Sequence, residues 1–504
     1  MNVDAKKSNN YDQISLTQDE YGRVGVMEAG IESLSPELLN DILSRLEPED
    51  ILRVQQVSRH LNNASHARSI WLALVKGSQM RYLVEKRFEL YTAQELEDLV
   101  RHKLRRDAHW ASNSKPLAVY NFGMDEESSF AGFHILVPGG RWFITMDLHG
   151  GIYYEDLLDV DDPCGGSIAE GIDPDTFEAL GAFLCMEMLE STEYLAFHLL
   201  SVGRRTWELE KDEHLFPSEC DAAHHIQMFY VSVEFDDYGT ISGLKSERLS
   251  SFFEDGNLGF YNVSFCGNVL AYHSINPTCC ILIDWKEANG RLLEHTRRRL
   301  RTNTKMSTLL SETILCAWTQ QEILVYDLAS MDLPFFMDPP TGKDIEFDKP
   351  TWSLKYPCPI NFKLERRTPP ILTDNSILLL FSLSDGILKL TVPKSLSDEP
   401  SLVVLPTQSD IVHSDLHPAK DPGCRRQLQP DGGAEYCNKQ IIAYRYNKAE
   451  DGTIMSISSS TRPISFRDAN IRNAALHLDG YSGRIFLSSD ADSHYIVDLE
   501  ECSE

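Results

Sequence analysis

Residues Ser33 to Leu74 read SLSPELLNDILSRLEPEDILRVQQVSRHLNNASHARSIWLAL. Ser35 followed by Pro36 and Glu37 is a helix start. The hydroxyl can cap, proline suits the first helical position, and the carboxylate favours the positive end of the helix dipole. Leu38, Leu39, Ile42, Leu43 and Leu46 recur three and four apart and form one apolar stripe. Pro48 breaks the pattern, and the acids of EPED at 47–50 open a second helix with Ile51, Leu52, Val54 and Val57 on its apolar face. A third helix is expected through SRHLNNAS, with Trp71 and Leu72 beyond it. A segment of about 40 residues can scarcely bury so many large apolar side chains within itself. Surplus apolar surface marks an interface, and leucine and tryptophan anchors suit a helix laid into a groove. The alternative is that the stripe packs on the rest of this chain.

The surroundings bound what such a segment serves. The chain has 504 residues and is 42% hydrophobic and 10% aromatic, enough to fill a large core. A formal net charge of −29 repels phosphate backbones and anionic membranes, so neither nucleic acid nor membrane is an expected partner. No apolar run approaches the roughly 18 residues of a membrane-spanning helix. The opening stretch MNVDAKKSNNYDQISLTQDE has no apolar core, so no secretory signal is expected. The 11 scattered cysteines then read as reduced thiols in a cytoplasmic or nuclear protein.

Residues 1–30 read as a flexible lead-in and 77–112 as a helical linker. Within the linker, TAQE at 92–95 is a capping box, continued by Leu96, Leu99, Val100 and Leu104. The basic run RHKLRR at 101–106 is placed near that helix's C-terminal end, where cations are favoured. From 113 to 504 short β-rich runs alternate with turn residues. GRWFITMDLHGGIYYEDL (Gly140 to Leu157) and TILCAWTQQEILVYDL (Thr313 to Leu328) read as hairpins. CILIDWK, GILKLTV, GTIMSIS and HYIVDLE are further strands. Asp284 and Asp327 lie 43 residues apart, one period of a propeller blade of about 40–45 residues.

The stretch from Leu34 to Leu74 resembles the F-box. It shares the Leu-x-Pro-Glu start, the Leu/Ile stripe, the Pro-acid break, Val57-Ser58-Arg59 and the downstream Trp71. The resemblance implies that the segment binds a Skp-family adaptor and, through it, a cullin–RING ubiquitin ligase. By motif position the adaptor contacts would be Leu34, Pro36, Glu37, Leu38, Ile42, Leu46, Ile51, Leu52, Val57, Leu61 and Trp71. The remainder resembles fungal F-box proteins with a degenerate β-propeller, on LVPGGRWFITMDLHGGIYYEDL, ILIDWK and GYSGRIFL (Gly480 to Leu487). The WD dipeptide itself is absent, and Asp284-Trp285 reverses its order. The expected architecture is an α+β multidomain chain: a small all-α F-box at 31–76, then an all-β propeller of about seven blades, six to eight being possible. The function implied is that of a substrate receptor in an SCF-type ligase, holding an unknown protein target. The alternative is an adaptor-bound scaffold outside any ligase.

No P-loop, G-x-S-x-G elbow, H-E-x-x-H pair, EF-hand loop or C-x-x-C pair occurs, so no catalytic residue, cofactor site or metal site is assigned. Cys279 and Cys280 are adjacent in an expected strand, pointing to opposite faces as structural thiols. HLFPSECDAAHH (His214 to His225) could hold zinc, but reads better as a loop with exposed histidines. HTRRRLRTNTK (His295 to Lys305) reads as a solvated loop, with an import signal or acidic-peptide patch as the alternative. DVDDP (159–163) is an acidic loop. The segments 338–350 and 416–437 read as long irregular insertions.

Overall fold

The computed structural model describes residues 30–110 and most of 118–498, with two short strands before them. Breaks fall in connecting segments such as 123–132, 207–221, 337–346, 357–369, 409–424 and 464–474. The acidic stretch 159–163 lies outside the described residues. The chain divides into two compact units, one of residues 1–74 with 92–97, the other of 75–91 with 98–504.

The first unit is helical: α1 (Pro36–Leu43), α2 (Pro48–Val54), α3 (Arg59–Ser65), the start of α4 (Arg68–Gly77) and the start of α5 (Ala93–Trp110). Thr92 and Glu95 form the expected capping box reciprocally. Glu95 N donates to Thr92 Oγ1 at 3.2 Å, and Thr92 N donates to Glu95 Oε2 at 2.8 Å. Because α5 continues to Trp110, the basic run 101–106 lies in its middle rather than at its C-terminal end.

The second unit is all-β beyond α5. Among its described residues, seven sheets of four or five strands succeed one another, antiparallel throughout except where the two-residue strand Thr407–Gln408 pairs parallel with Ile457 and Ser458 in the sixth. The first three begin at Phe133–Leu136, Phe177–Met188 and Phe260–Cys266. The next two begin at Met306–Ser311 and Ile371–Leu372, and the last two at Arg425–Gln429 and Ala475–Leu478. Opening strands lie side by side from the first sheet to the fourth and from the sixth through the seventh to the first, while the fourth and fifth sheets share a core and the fifth sheet's second strand lies beside the opening strand of the sixth. Ala118–Phe122, from the start of the β region, pairs antiparallel with His494–Asp498 and completes the seventh sheet. Sheets arranged in a closed ring, each mainly antiparallel and stacked face to face on the next, make a β-propeller.

The stacking explains why strands such as Trp142–Met146 and Cys279–Asp284 are buried on both faces. Cys279 enters the core between the second and third sheets, and Cys280 that between the third and fourth. Burial raises these thiols to about 11 and about 12, respectively, which keeps them protonated and inert.

The hairpin that opens the ring uses the Pro-Gly-Gly-Arg turn. Gly139 and Gly140 have φ of 103° and 66°, and a Cβ on Gly139 would meet Tyr82 O at 2.4 Å. Arg141 then reaches Asp156 with Nε at 2.9 Å and Nη2 at 2.6 Å. From the seventh sheet, Arg484 Nη1 donates to Gly140 O and Leu157 O at 3.1 and 2.8 Å, tying last sheet to first. The expected helical linker differs at 77–91, where short 3-10 turns and a β-bridge lie along the second sheet. Arg87 N donates to Gly239 O and Ile241 N to Glu85 O, each at 2.8 Å, while Phe88 stacks on Tyr194.

Three sequence expectations are corrected here. His224 and His225 belong to the strand Ala222–Phe235 and are buried, not exposed on a loop. Segment 416–437 contains the paired strands Arg425–Gln429 and Gly432–Cys437 rather than an irregular insertion. The basic run from His295 contains the strand Arg297–Leu300, not a solvated loop. The reason is one buried carboxylate. Glu254, on the second sheet, accepts from Arg297 Nε at 2.8 Å and Tyr272 Oη at 2.9 Å, and pairs with His295. Arg297 spends its other donors on the carbonyls of His295 and Leu293. Burial pushes the Glu254 carboxyl up, but His295 and Arg297 together outweigh it and hold the group below its usual range.

Glu254→Ala leaves a buried guanidinium uncompensated and is expected to cost about 3–5 kcal/mol of propeller stability in denaturant titration. A carboxyl whose folded pKa is lowered stabilises fully above its ordinary value of 4.5 and loses that contribution as pH falls through the folded value. Parent melts should therefore fall on acidification below about 4.5. Variant stability equal to the parent's would sink the assignment.

Candidate partner-docking face of the helical unit

Side-chain caps open α1 and α3. Ser35 Oγ accepts from Leu38 N at 3.4 Å, and Ser58 Oγ accepts from Leu61 N at 3.3 Å. The Glu37 carboxyl is held below its ordinary value by its own backbone amide and then by Ser35, as suits a carboxylate in a first helical turn. Proline opens both α1 and α2.

The leucine stripe of α1 is not one face but two. Leu39 and Leu43 are buried, at 1% and 2% exposure, and fill the unit's core. Leu38 and Ile42, one residue earlier in each case, stand at 54% and 38%. One residue turns a helix by roughly 100°, so neighbouring leucines diverge to core and surface.

The eleven motif positions divide accordingly. Pro36, Glu37, Leu38, Ile42 and Val57 are exposed, Val57 at 70%. Leu34, Leu46 and Leu52 are half-buried. Ile51, Leu61 and Trp71 are buried at 0%, 5% and 0% and belong to the unit's core. Trp71 is the unit's apolar centrepiece, and its indole N–H has no hydrogen-bond partner among the described residues. Ile31, not anticipated, adds to the exposed apolar set at 49%.

A second feature escaped sequence reasoning. Glu97, buried at 1% exposure, accepts from Gln55 Nε2 at 3.1 Å and meets His66 Nδ1 at 2.8 Å. Asn62 Nδ2 donates to Gln55 O at 2.9 Å. One carboxylate thus fastens the end of α2 and the end of α3 to the start of α5. Its only sequence signal is an acid in an otherwise ordinary helical run, since both partners lie more than thirty positions earlier.

The arrangement is a small core with large apolar side chains left outside it, Leu38 and Ile42 one turn apart on α1 and Val57 just beyond α2, on elements that also carry the exposed ion pairs Asp41–Arg45 and Asp50–Arg53. Such side chains suit burial against a partner groove and supply no nucleophile, acid–base pair or ligand set. Elsewhere, His273 Nε2 lies 2.8 Å from Ser307 Oγ, a spacing fit for nucleophile activation. Both are buried between sheets, and burial lowers the imidazole to about 4. No group of three or more metal-ligating side chains occurs among the described residues.

Residues 31–76 match the family model described as F-box-like. Similar solved structures include the WD40 β-propeller domain of Doa1, at a TM-score of 0.36 and 13% identity over 77% of this chain and 98% of that one. The β-propeller domain of Myceliophteria thermophila Cps50 (Swd1) aligns at 0.38 and 12% over 76% and 100%. A chain of a mitotic checkpoint complex aligns at 0.35 and 10% over 77% and 96%. No curated protein sequence matches the chain. The chain carries an F-box-like helical segment followed by a β-propeller.

Trp71→Ala is expected to destabilise the helical unit by about 3–5 kcal/mol, whereas Val57→Asp leaves its melting midpoint nearly unchanged. Circular dichroism of both variants checks this. Equal destabilisation would mean that Val57 is also core.

Proposed function

We propose that this chain is the substrate-receptor subunit of an SCF-type cullin–RING ubiquitin ligase. The helical unit docks on a Skp-family adaptor, and the propeller holds a target protein. The observation that carries the reading is the exposed trio Leu38, Ile42 and Val57 on an F-box-like unit whose core is filled by Leu39, Leu43, Ile51, Leu61 and Trp71. Apolar side chains outside a complete core do nothing for folding and suit a groove in a partner.

The role is bivalent positioning. Two sites on one chain raise the effective concentration of target lysines near a charged ubiquitin carrier held by the rest of the assembly. In this reading the bond-making groups belong to the partners, and the setting is the cytoplasm or nucleus.

The test is adaptor binding by the purified chain, with capture of the cullin–adaptor pair as a second measurement. Leu38→Asp with Val57→Asp is expected to weaken adaptor binding by about a hundredfold or more, since two charged groups would be desolvated in an apolar groove, while the propeller melt is unchanged. Unaltered affinity would sink the docking face. Adaptor capture without any cullin capture would instead support a scaffold outside the ligase.

A further inference from the structure

The outer strand of the second sheet, Ile241–Asp255, is packed by the connection at 285–296 between two strands of the third sheet. Gly290 N donates to Ser251 O at 2.8 Å, and Phe253 N donates to Arg291 O at 3.3 Å. Ser250 Oγ donates to Trp285 O at 2.7 Å. Between strand and connection lies a cavity of about 420 Å³, lined chiefly by Arg248, Ser251, Phe253, Asn289, Gly290 and Arg291. That volume is in the range of small-ligand sites.

Its chemistry is one-sided. None of the lining residues is Asp or Glu, although the chain has 76 acidic against 47 basic residues. Among the described residues, neither the Arg248 nor the Arg291 guanidinium has a hydrogen-bond or ion-pair partner. Arg45, Arg53, Arg141, Arg297 and Arg301 all pair with carboxylates. Asn289 Oδ1 accepts from Ser251 N at 3.1 Å, which fixes the amide and leaves its NH₂ to donate. The wall behind is rigid. Phe253 stacks on the buried His225 ring at 4.4 Å and 12°, and His225 Nε2 lies 2.8 Å from Ser251 Oγ. Gly290 has a φ of 72°, and a Cβ there would meet nothing within 4 Å, so the loop leaves the cavity open.

We propose that this cavity binds a phosphate group. Two unpaired guanidinium forks and a fixed amide supply more donors than one carboxylate accepts, and they match the several oxygens and double charge of a phosphate monoester. The cavity also exceeds a bare phosphate ion, leaving room beside the Phe253 ring for the esterified group. This site is independent of the adaptor-docking face and stands or falls without it.

Titration calorimetry of the full chain with inorganic phosphate, O-phosphoserine and serine tests it. Both phosphate compounds should bind and serine should not. Arg248→Gln with Arg291→Gln should weaken binding by about tenfold or more, with each single change intermediate. The double variant's melt without ligand should be unchanged, because both side chains are exposed. Phosphoserine binding more tightly than inorganic phosphate supports an esterified phosphate, and equal affinities support recognition of the phosphate alone. No binding at millimolar concentration, or binding that survives the double change, overturns the proposal.

Discussion

The propeller depends on one constraint: each sheet has two apolar faces, and only another sheet of the same kind can cover them. An open stack would leave two faces in water. Closure removes both ends at once, which is why Ala118–Phe122 pairs with His494–Asp498 although almost the whole β region separates them in sequence. The double burial of Cys279 and Cys280, into different cores, follows from the same requirement. So does the position of Arg484, whose donors reach the carbonyls of the first hairpin.

At the interface of the second and third sheets charge enters the interior matched by opposite charge. Glu254, Arg297, His295 and Tyr272 are buried together between two sheets, where desolvation alone would favour a neutral carboxyl. Opposite charge and donated hydrogen bonds reverse that preference. The helical unit uses the same solution on a smaller scale, with Glu97 between Gln55 and His66. In both places a carboxylate from one element fixes the position of others, which apolar contact alone leaves freer to slide.

Much of this was legible from residue pattern. Ser35, Pro36 and the Thr92–Glu95 box announce helix starts because capping is local chemistry. The hairpins around TQQE and HGG were legible because turn and strands adjoin in sequence. The sidedness of the leucine stripe was not, since Leu38 and Leu39 are alike until the core is known. The basic run at 295–305 looked solvated because Glu254, its neutralising partner, lies some forty positions away. The hairpin within 416–437 was hidden by strands such as RRQLQ, which lack the apolar alternation that marks a half-buried strand. Of the docking face, the segment was legible and the choice among its eleven positions was not, because Ile51, Leu61 and Trp71 became core only through contacts among helices.

The closing strand pair also sets an order of events at the ribosome. A ring whose first strand waits for its last is dominated by contacts distant in sequence, and such topologies fold slowly. The helical unit is made first, from mostly local contacts, and needs only Thr92–Glu97 beyond its own run to be complete. It can therefore be finished while most of the β region is still unmade. A nascent chain would then display Leu38, Ile42 and Val57 for some time before the ring exists, a sticky interval that a waiting partner or chaperone would shorten.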